Sequence, residues 1–297
     1  DRMRALLHDP ALQGLESTWR SIARLVAETE TGEEIQIALL DVGREELASD
    51  LAAAGTDLEV NGLYQRLVAR GSAIHGAHPW SVVVDATTFG PEPADLALLG
   101  ALGAIASQAG GPFLAAASPR LLGCRSIAET PDPRAWGALA AEDDRAWRAL
   151  RASPWARWIG LALPRVLLRL PYGARGERTE RFAFEELEPA RPHESFLWGH
   201  PAFTCATLLA RSFHERGAEM SPGDHLELDD LPAYSYRDDG EAKLMPCAEA
   251  LVTERALGEI LGRGLIPLAS FPDRNAARVV RFQSIADPPA PLAGAWS

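Results

Sequence analysis

Residues 161–173 read LALPRVLLRLPYG, and this segment constrains the fold more than any other stretch. Two prolines bracket an apolar run, and the run carries Arg165 and Arg169. Proline lacks a backbone donor and belongs at strand ends or edges. Two arginines in such a run cannot both be hidden without acidic partners, which their planar forks would answer. The segment therefore reads as part of a rigid, assembled surface. It contains no nucleophile, ligand cluster or phosphate cradle.

The rest of the chain alternates strands and helices. Asp9-Pro10 is a good helix start, and Leu12, Leu15, Trp19, Ile22 and Val26 then form one apolar stripe, with Gly32 as the stop. Residues 35–42 (IQIALLDV) predict a buried strand, followed by a short helix with Leu47 and Leu51 on one face and Gly55 behind it. Residues 80–85 predict a second strand. Pro91-Glu92-Pro93 opens a helix with Leu98, Leu102, Ile105 and Ala109 on one side, Gly110-Gly111 closes it, and residues 112–117 predict a third strand. This is a βαβ unit, hence a parallel pair. Residues 118–158 read as loop-rich and hold Trp136, Trp147, Trp155 and Trp158. Further on, the spacing predicts helices over 201–216 and from Thr253, then strands over 265–270 and 278–285. The expected fold is α/β, with mixed sheets and flanking helices in two packed lobes, 1–120 and 121–285. A flexible tail is expected at 286–297.

Composition narrows the function classes. The 297 residues are 47% hydrophobic, so a sizeable core is available. Acidic residues outnumber basic ones, 41 to 29, for a net charge of −12. That argues against a nucleic-acid or anionic-membrane partner, because both need a basic face. Cys124, Cys205 and Cys247 are scattered and form no CxxC pair, which fits buried thiols and a reducing, cytoplasmic setting. No apolar run approaches the ~20 residues of a membrane span. The chain opens at Asp1 and is expected to be a piece of something longer.

No catalytic, cofactor or metal constellation emerges. Gly103, Gly110 and Gly111 lack the GxGxxG or GxxxxGK[ST] context and read as helix packing and a helix stop. His75 and His78 have no further ligands at suitable spacing, and His193 and His200 have no Ser or Cys elbow to activate. The pairs Glu185-Glu186, Asp229-Asp230 and Asp238-Asp239 read as opposite-facing or hydrated carboxylates. The tryptophans read as core or interface anchors. A small-molecule-binding α/β protein remains an alternative. Its ligand would sit at the strand C-termini of the βαβ unit, near Asp85, Thr87, Thr88 and Ser118.

Several stretches together resemble the large subunit of the type VI secretion contractile sheath. They are residues 8–20 (HDPALQGLESTWR), 30–42 (ETGEEIQIALLDV), 112–119 (PFLAAASP), 163–173 (LPRVLLRLPYG), 196–199 (FLWG) and 264–268 (GLIPL), in the family's order and spacing. The resemblance implies a noncatalytic building block. It would pair with a small sheath subunit, stack with neighbouring sheath subunits around an inner tube on a baseplate, and contract. A hexameric AAA+ ATPase would then dismantle the contracted form. By the same resemblance, the chain is expected to begin downstream of the family's usual N-terminal region, which helps engage the small subunit and that ATPase, and to stop short of the family's strand-exchanging C-terminal domain. His200-Pro201 stands where the family commonly has Asn before the helix. A non-polymerising scaffold of the same apparatus is the other reading. The resemblance makes Arg165, Arg169 and Trp198 structural or interface candidates, with the arginines pairing inside the lobe or across the wall. Arg211, Glu215 and Arg216 are placed on a helix face expected near the inner tube.

Overall fold

The computed structural model describes residues 2–55, 57–69, 79–180, 182–188, 193–238 and 241–296. The strands are β1 (Val83–Phe89), β2 (Phe113–Ala117), β3 (Ile159–Leu163), β4 (Val166–Leu167), β5 (Trp198–Gly199), β6 (Glu227–Leu228), β7 (Ser235–Asp238), β8 (Glu241–Leu244), β9 (Ile266–Ser270) and β10 (Ala277–Val279). The longer helices are α1 (Arg2–Leu7), α2 (Pro10–Glu28), α3 (Arg44–Ala54), α4 (Pro93–Ala109), α5 (Ala141–Arg151), α6 (Pro201–Arg216) and α7 (Glu254–Gly262). The fold is α/β, as expected.

One six-stranded sheet organises the chain, in the order β1-β2-β3-β9-β10-β6. Its first four strands are parallel, and β10 runs antiparallel to both of its neighbours, β9 and β6. β2 and β3 are buried along their whole length, as strands covered on both faces must be. Alternate side chains feed two cores. Phe113, Ala115, Ile159 and Leu161 face Leu99, Leu102 and Ile105 of α4 with Trp147 and Leu150 of α5. Leu114, Ala162, Ile266 and Leu268 face Ala202, Cys205, Leu208 and Leu209 of α6. α4 lies tight on the sheet because Gly103 has no Cβ, and one added there would overlap the Ile159 side chain. Gly110 ends α4 with φ at +86°, the left-handed conformation that favours glycine.

The βαβ unit is present, with β1 and β2 parallel on either side of α4. Both hairpin-like additions, β4 with β5 and β7 with β8, are antiparallel pairs apart from the main sheet. The expected lobe boundary after residue 120 falls between β2 and β3, which are adjacent in the sheet. The two halves therefore share one framework.

Several expectations are corrected. Residues 35–42 form no strand, and Leu39 and Leu40 are exposed. β1 begins at Val83, three residues later than expected, and runs on to Phe89. The loop-rich reading of 118–158 misses α5. That helix carries Glu142, Asp143 and Asp144 in its first turn and Arg148 and Arg151 in its last, which suits the helix dipole. The last main-sheet strand spans only Ala277–Val279. Residues 282–285 are buried without a ladder, held by bonds such as Ile285 N to Ile159 O at 3.0 Å. In the expected flexible tail, Leu292 and Ala293 are buried, and Ala293 N donates to Arg157 O at 2.8 Å.

Candidate assembly surface and its arginine network

Pro164 follows β3 immediately, through a cis peptide after Leu163, and β4 begins two residues later. That short path puts Arg165 and Arg169 on the two sides of β4. The Arg169 side chain is only 2% exposed. Its Nη1 and Nη2 donate to Glu186 Oε2 and Oε1 at 2.7 and 2.9 Å, and its Nε donates to Glu16 Oε1 at 2.8 Å. Nη1 also reaches Leu170 O at 3.1 Å, and the guanidinium lies 4.5 Å from the Tyr172 ring centre. Glu186, itself 1% exposed, accepts a further bond from Tyr172 N at 2.7 Å. Burial alone would lower the Arg169 pKa, but bonds and charge from Glu186 and Glu16 raise it instead. Burial likewise pulls the Glu16 carboxyl upward, and Arg169 and then Arg20 hold it below its ordinary value. A buried ion pair is tolerated when its hydrogen bonds are made this fully.

Arg165 is half open to solvent. Its Nε bonds Glu249 Oε2 at 2.7 Å, and its Nη2 bonds Glu194 Oε1 at 3.2 Å. Burial opposes its charge, but Glu249 and then Glu194 raise its pKa. His193 Nδ1 lies 3.0 Å from Glu194 Oε1. That bond first, and then Arg165, hold the Glu194 carboxyl down at about 2 against the opposing effect of burial. Trp198 is buried, stacks on the His193 ring at 4.8 Å and donates from Nε1 to His193 O at 2.9 Å. The structure thus brings Arg165, Arg169 and Trp198 together around β4 and β5, with the carboxylates supplied from inside this chain.

The same network fastens α2. Asp9 caps it, accepting from Ala11 N and Leu12 N. Along the helix, Gln13 donates to Glu194 O and Ser17 to Trp198 O. Glu16 meets Arg169, Arg20 reaches the Tyr172 hydroxyl at 3.4 Å, Arg24 donates to Asp229 O, and Glu28 accepts from Arg211 at 2.7 Å. These docked residues lie about 150° around the helix from the stripe Leu12, Leu15, Trp19, Ile22 and Val26, at 3.6 residues per turn. The polar side therefore meets the body of the protein. On the stripe, Leu15 and Trp19 are each 57% exposed and Val26 is 45% exposed. Leu25, on neither line, supplies the apolar anchor against Phe203 and Ala206. The sequence reading found the stripe but not its direction. The signal lay in the polar residues, which repeat at helical spacing on the opposite side.

The remaining candidates fall elsewhere. The first nine residues of α6 are buried, so only its last turns reach the surface. There Arg211 is tied to Glu28, Glu215 lies 2.9 Å from His225, and Arg216 is exposed. The C-terminal ends of β1 and β2 are used by the chain itself. Asp85 accepts from Thr87 N at 2.6 Å, Thr87 O and Thr88 O meet His200 and Arg44, and Ser118 N donates to Phe89 O. His200 is half-buried behind the helix start, and the desolvation of its ring lowers its pKa to about 4. His75, His78 and Asp239 lie outside the described residues. Among the described residues, no group of three or more His, Cys, Asp or Glu is placed to hold a metal ion. No described helix is long and apolar enough to cross a membrane. Cys124, Cys205 and Cys247 are buried and free.

Comparison with known proteins identifies the fold's relatives. Residues 1–286 match the VipB family model, described as EvpB/VC_A0108, tail sheath N-terminal domain. The chain is 32% identical over 304 aligned positions to the type VI secretion system sheath protein TssC1 of Pseudomonas aeruginosa. That alignment covers 95% of this chain and 58% of the relative, so the chain spans little more than half the length of that protein. On a match across nearly its whole length, the chain belongs to the tail sheath N-terminal domain family of type VI secretion sheath proteins.

Proposed function

We propose that this chain is the wall-forming part of a large sheath subunit whose work is mechanical and collective. It pairs with a small sheath subunit, stacks with neighbouring subunits around an inner tube in the cytoplasm, and moves as a rigid body when the sleeve contracts. Contraction propels the tube for effector delivery, and a baseplate and a recycling AAA+ ATPase act on the assembled sleeve. No bond is made or broken by the chain in this reading.

The observation that carries the reading is the outward stripe of α2. Fully burying a large apolar side chain contributes about 1.5–3 kcal/mol. The fold leaves Leu15, Trp19 and Val26 largely in water while it docks the same helix by its charges. Large apolar side chains left exposed on one side of a helix, beside Ile22 that turns inward, are an ordinary mark of a protein contact.

The test is co-expression with the small sheath subunit, followed by electron microscopy. Wild type is expected to give tubes or cogwheel-shaped rings, and Trp19→Lys none, while the variant's isolated stability changes by no more than about 0.5 kcal/mol. Tubes formed normally by Trp19→Lys would remove the stripe from the assembly. Wild-type chain that stays monomeric beside its partner would instead favour a non-polymerising scaffold.

A further inference from the structure

The ends of α2 and α6 enclose a cleft of about 340 Å³, within the ordinary size range of small-ligand sites. Three carboxylates line it, Glu28, Glu30 and Glu215, against one guanidinium, Arg211. Glu28 is already answered, by Arg24 Nε at 2.6 Å and by Arg211 Nη2 at 2.7 Å. Among the described residues, Glu30 and Glu215 are paired only with imidazoles. Glu30 Oε2 lies 3.7 Å from His214 Nε2, too far for a hydrogen bond, and Glu215 Oε2 lies 2.9 Å from His225 Nε2. Thr29 caps α2 and lines the same cleft. It is 7% exposed, and its Oγ1 is buried with no hydrogen-bond partner among the described residues. Buried hydroxyls are almost always bonded, so an unmet one in the wall of a charged cleft marks a place for a ligand atom.

Sign and shape narrow the ligand. Counting histidine as neutral, the excess of carboxylate favours a cation. So does the C-terminal end of α2, whose last turn carries no basic residue of its own. Neighbouring residues on a helix point about 100° apart, so His214 and Glu215 meet their partners on different sides of α6. The two under-answered carboxylates therefore form separate negative poles. Among the described residues, no three His, Cys, Asp or Glu converge to hold a metal ion. Two poles suit a flexible chain with an ammonium at each end, whereas a lone ammonium would leave one carboxylate unanswered.

We propose that this cleft is a binding site for a free aliphatic diamine. One ammonium bonds Glu30 and donates to Thr29 Oγ1. The other bonds the Glu215 oxygen that His225 leaves open, and the methylene chain lies over Ala210. Occupancy fastens the end of α2 to the end of α6, beside the Glu28–Arg211 pair that already joins them, whether or not the chain polymerises.

Isothermal titration of the chain with putrescine tests the site. Saturable binding is expected, with a Kd below about 1 mM. N-acetyl-lysine amide, which offers one ammonium on an apolar stem, is expected to bind at least about tenfold more weakly. Glu30→Gln and Glu215→Gln should each weaken putrescine binding by about tenfold. Thr29→Val should weaken it by about threefold or more with no loss of thermal stability, because the hydroxyl it removes has no partner in the fold. Glu142→Gln/Glu259→Gln removes two exposed carboxylates from α5 and α7, which pack on the other face of the sheet, and should leave binding unchanged. Absence of saturable binding, wild-type affinity in Glu30→Gln and Glu215→Gln, or equal weakening by Glu142→Gln/Glu259→Gln overturns the site. Equal binding of N-acetyl-lysine amide overturns the choice of a free diamine and assigns the cleft to a lysine side chain of another polypeptide.

Discussion

Arg169 shows how much a single residue in a sequence can say. An arginine in an apolar run between prolines requires carboxylates, and two are there, Glu186 and Glu16. Their identity was only half legible. The adjacent pair Glu185-Glu186 was readable as opposite-facing, and indeed Glu186 points in to Arg169 while Glu185 accepts from Ala174 N at 2.8 Å. Glu16 lies 153 positions away in sequence from its partner, a distance that no local pattern spans. Removing one member of a buried pair strands the other charge, so Arg169→Met is expected to cost about 3–5 kcal/mol. Adding Glu186→Leu should recover part of that loss, because the stranded carboxylate goes with it. Urea unfolding of the single and double variants reads both effects, and a double variant less stable than the single one would show that Glu186 is held by other groups. His200 makes a second case, this time in pH. Its Nε2 donates to Thr87 O at 2.7 Å, and its Nδ1 is buried without a partner, so a second proton has nowhere to bond. The folded pKa is about 4 against an ordinary 6.5, and between those values the unfolded chain binds more protons. Stability should therefore be full above pH 6.5 and fall as the pH drops toward 4. The loss is about 3 kcal/mol in all, at about 1.4 kcal/mol per pKa unit. Urea midpoints of wild type and His200→Gln from pH 7 to 4.5 should converge by this contribution. A difference that stays flat with pH would assign the low pKa elsewhere.

Elements were legible wherever local chemistry and tertiary demand agreed. α6 spans the predicted 201–216, because Pro201 sets its first turn and Gly217, with φ at +58°, allows its end. α4 agreed for the same reasons, with prolines at one end and a left-handed glycine at the other. The failures have a common cause. Residues 35–42 carry a strand's composition, yet no strand among the described residues pairs with them. Composition reports what a segment could bury, whereas a ladder needs a second backbone. The direction of α2 was hidden in the same way. An amphipathic stripe states that one side seeks apolar cover, and sequence alone suggests that the cover is the chain's own core. Here the core is reached through Leu25 and Ser21, and the ion pairs of Glu16 with Arg169 and of Glu28 with Arg211, together with the bond from Arg24 to Asp229 O, hold the polar side inward. α5 was missed although its charges suited a helix, because nearby prolines and tryptophans dominated the reading of that stretch. Each departure on α2 and on 35–42 leaves apolar groups facing outward, which is the pattern expected of a piece designed to be completed by others.

How the halves are joined sets how the chain should fail under load. Two packed lobes meeting near residue 120 would have separate cores and could open independently. Instead Phe113, Leu114, Ala115 and Ala116 of β2 pair with Ile159, Gly160, Leu161 and Ala162 of β3. Both cores are lined by residues from either side of that boundary. One holds Leu99 and Ile105 with Ile159 and Ile260, and the other holds Leu114 with Leu208, Ile266 and Leu292. The chain end is tied in as well, since Arg151 Nε donates to Ile285 O at 2.7 Å and Ala293 N donates to Arg157 O. Opening one half would strip the other of its sheet neighbour and of part of each core, so partial unfolding has no cheap route. Thermal or urea unfolding of the isolated chain should then be a single cooperative transition. Tryptophan fluorescence and far-ultraviolet circular dichroism should coincide, and the calorimetric enthalpy should match the van't Hoff value. Two resolved transitions would mean that the β2–β3 seam is a weak joint. A subunit with such a joint would yield internally before passing a displacement to its neighbours, whereas the rigid-body contraction proposed above requires the reverse.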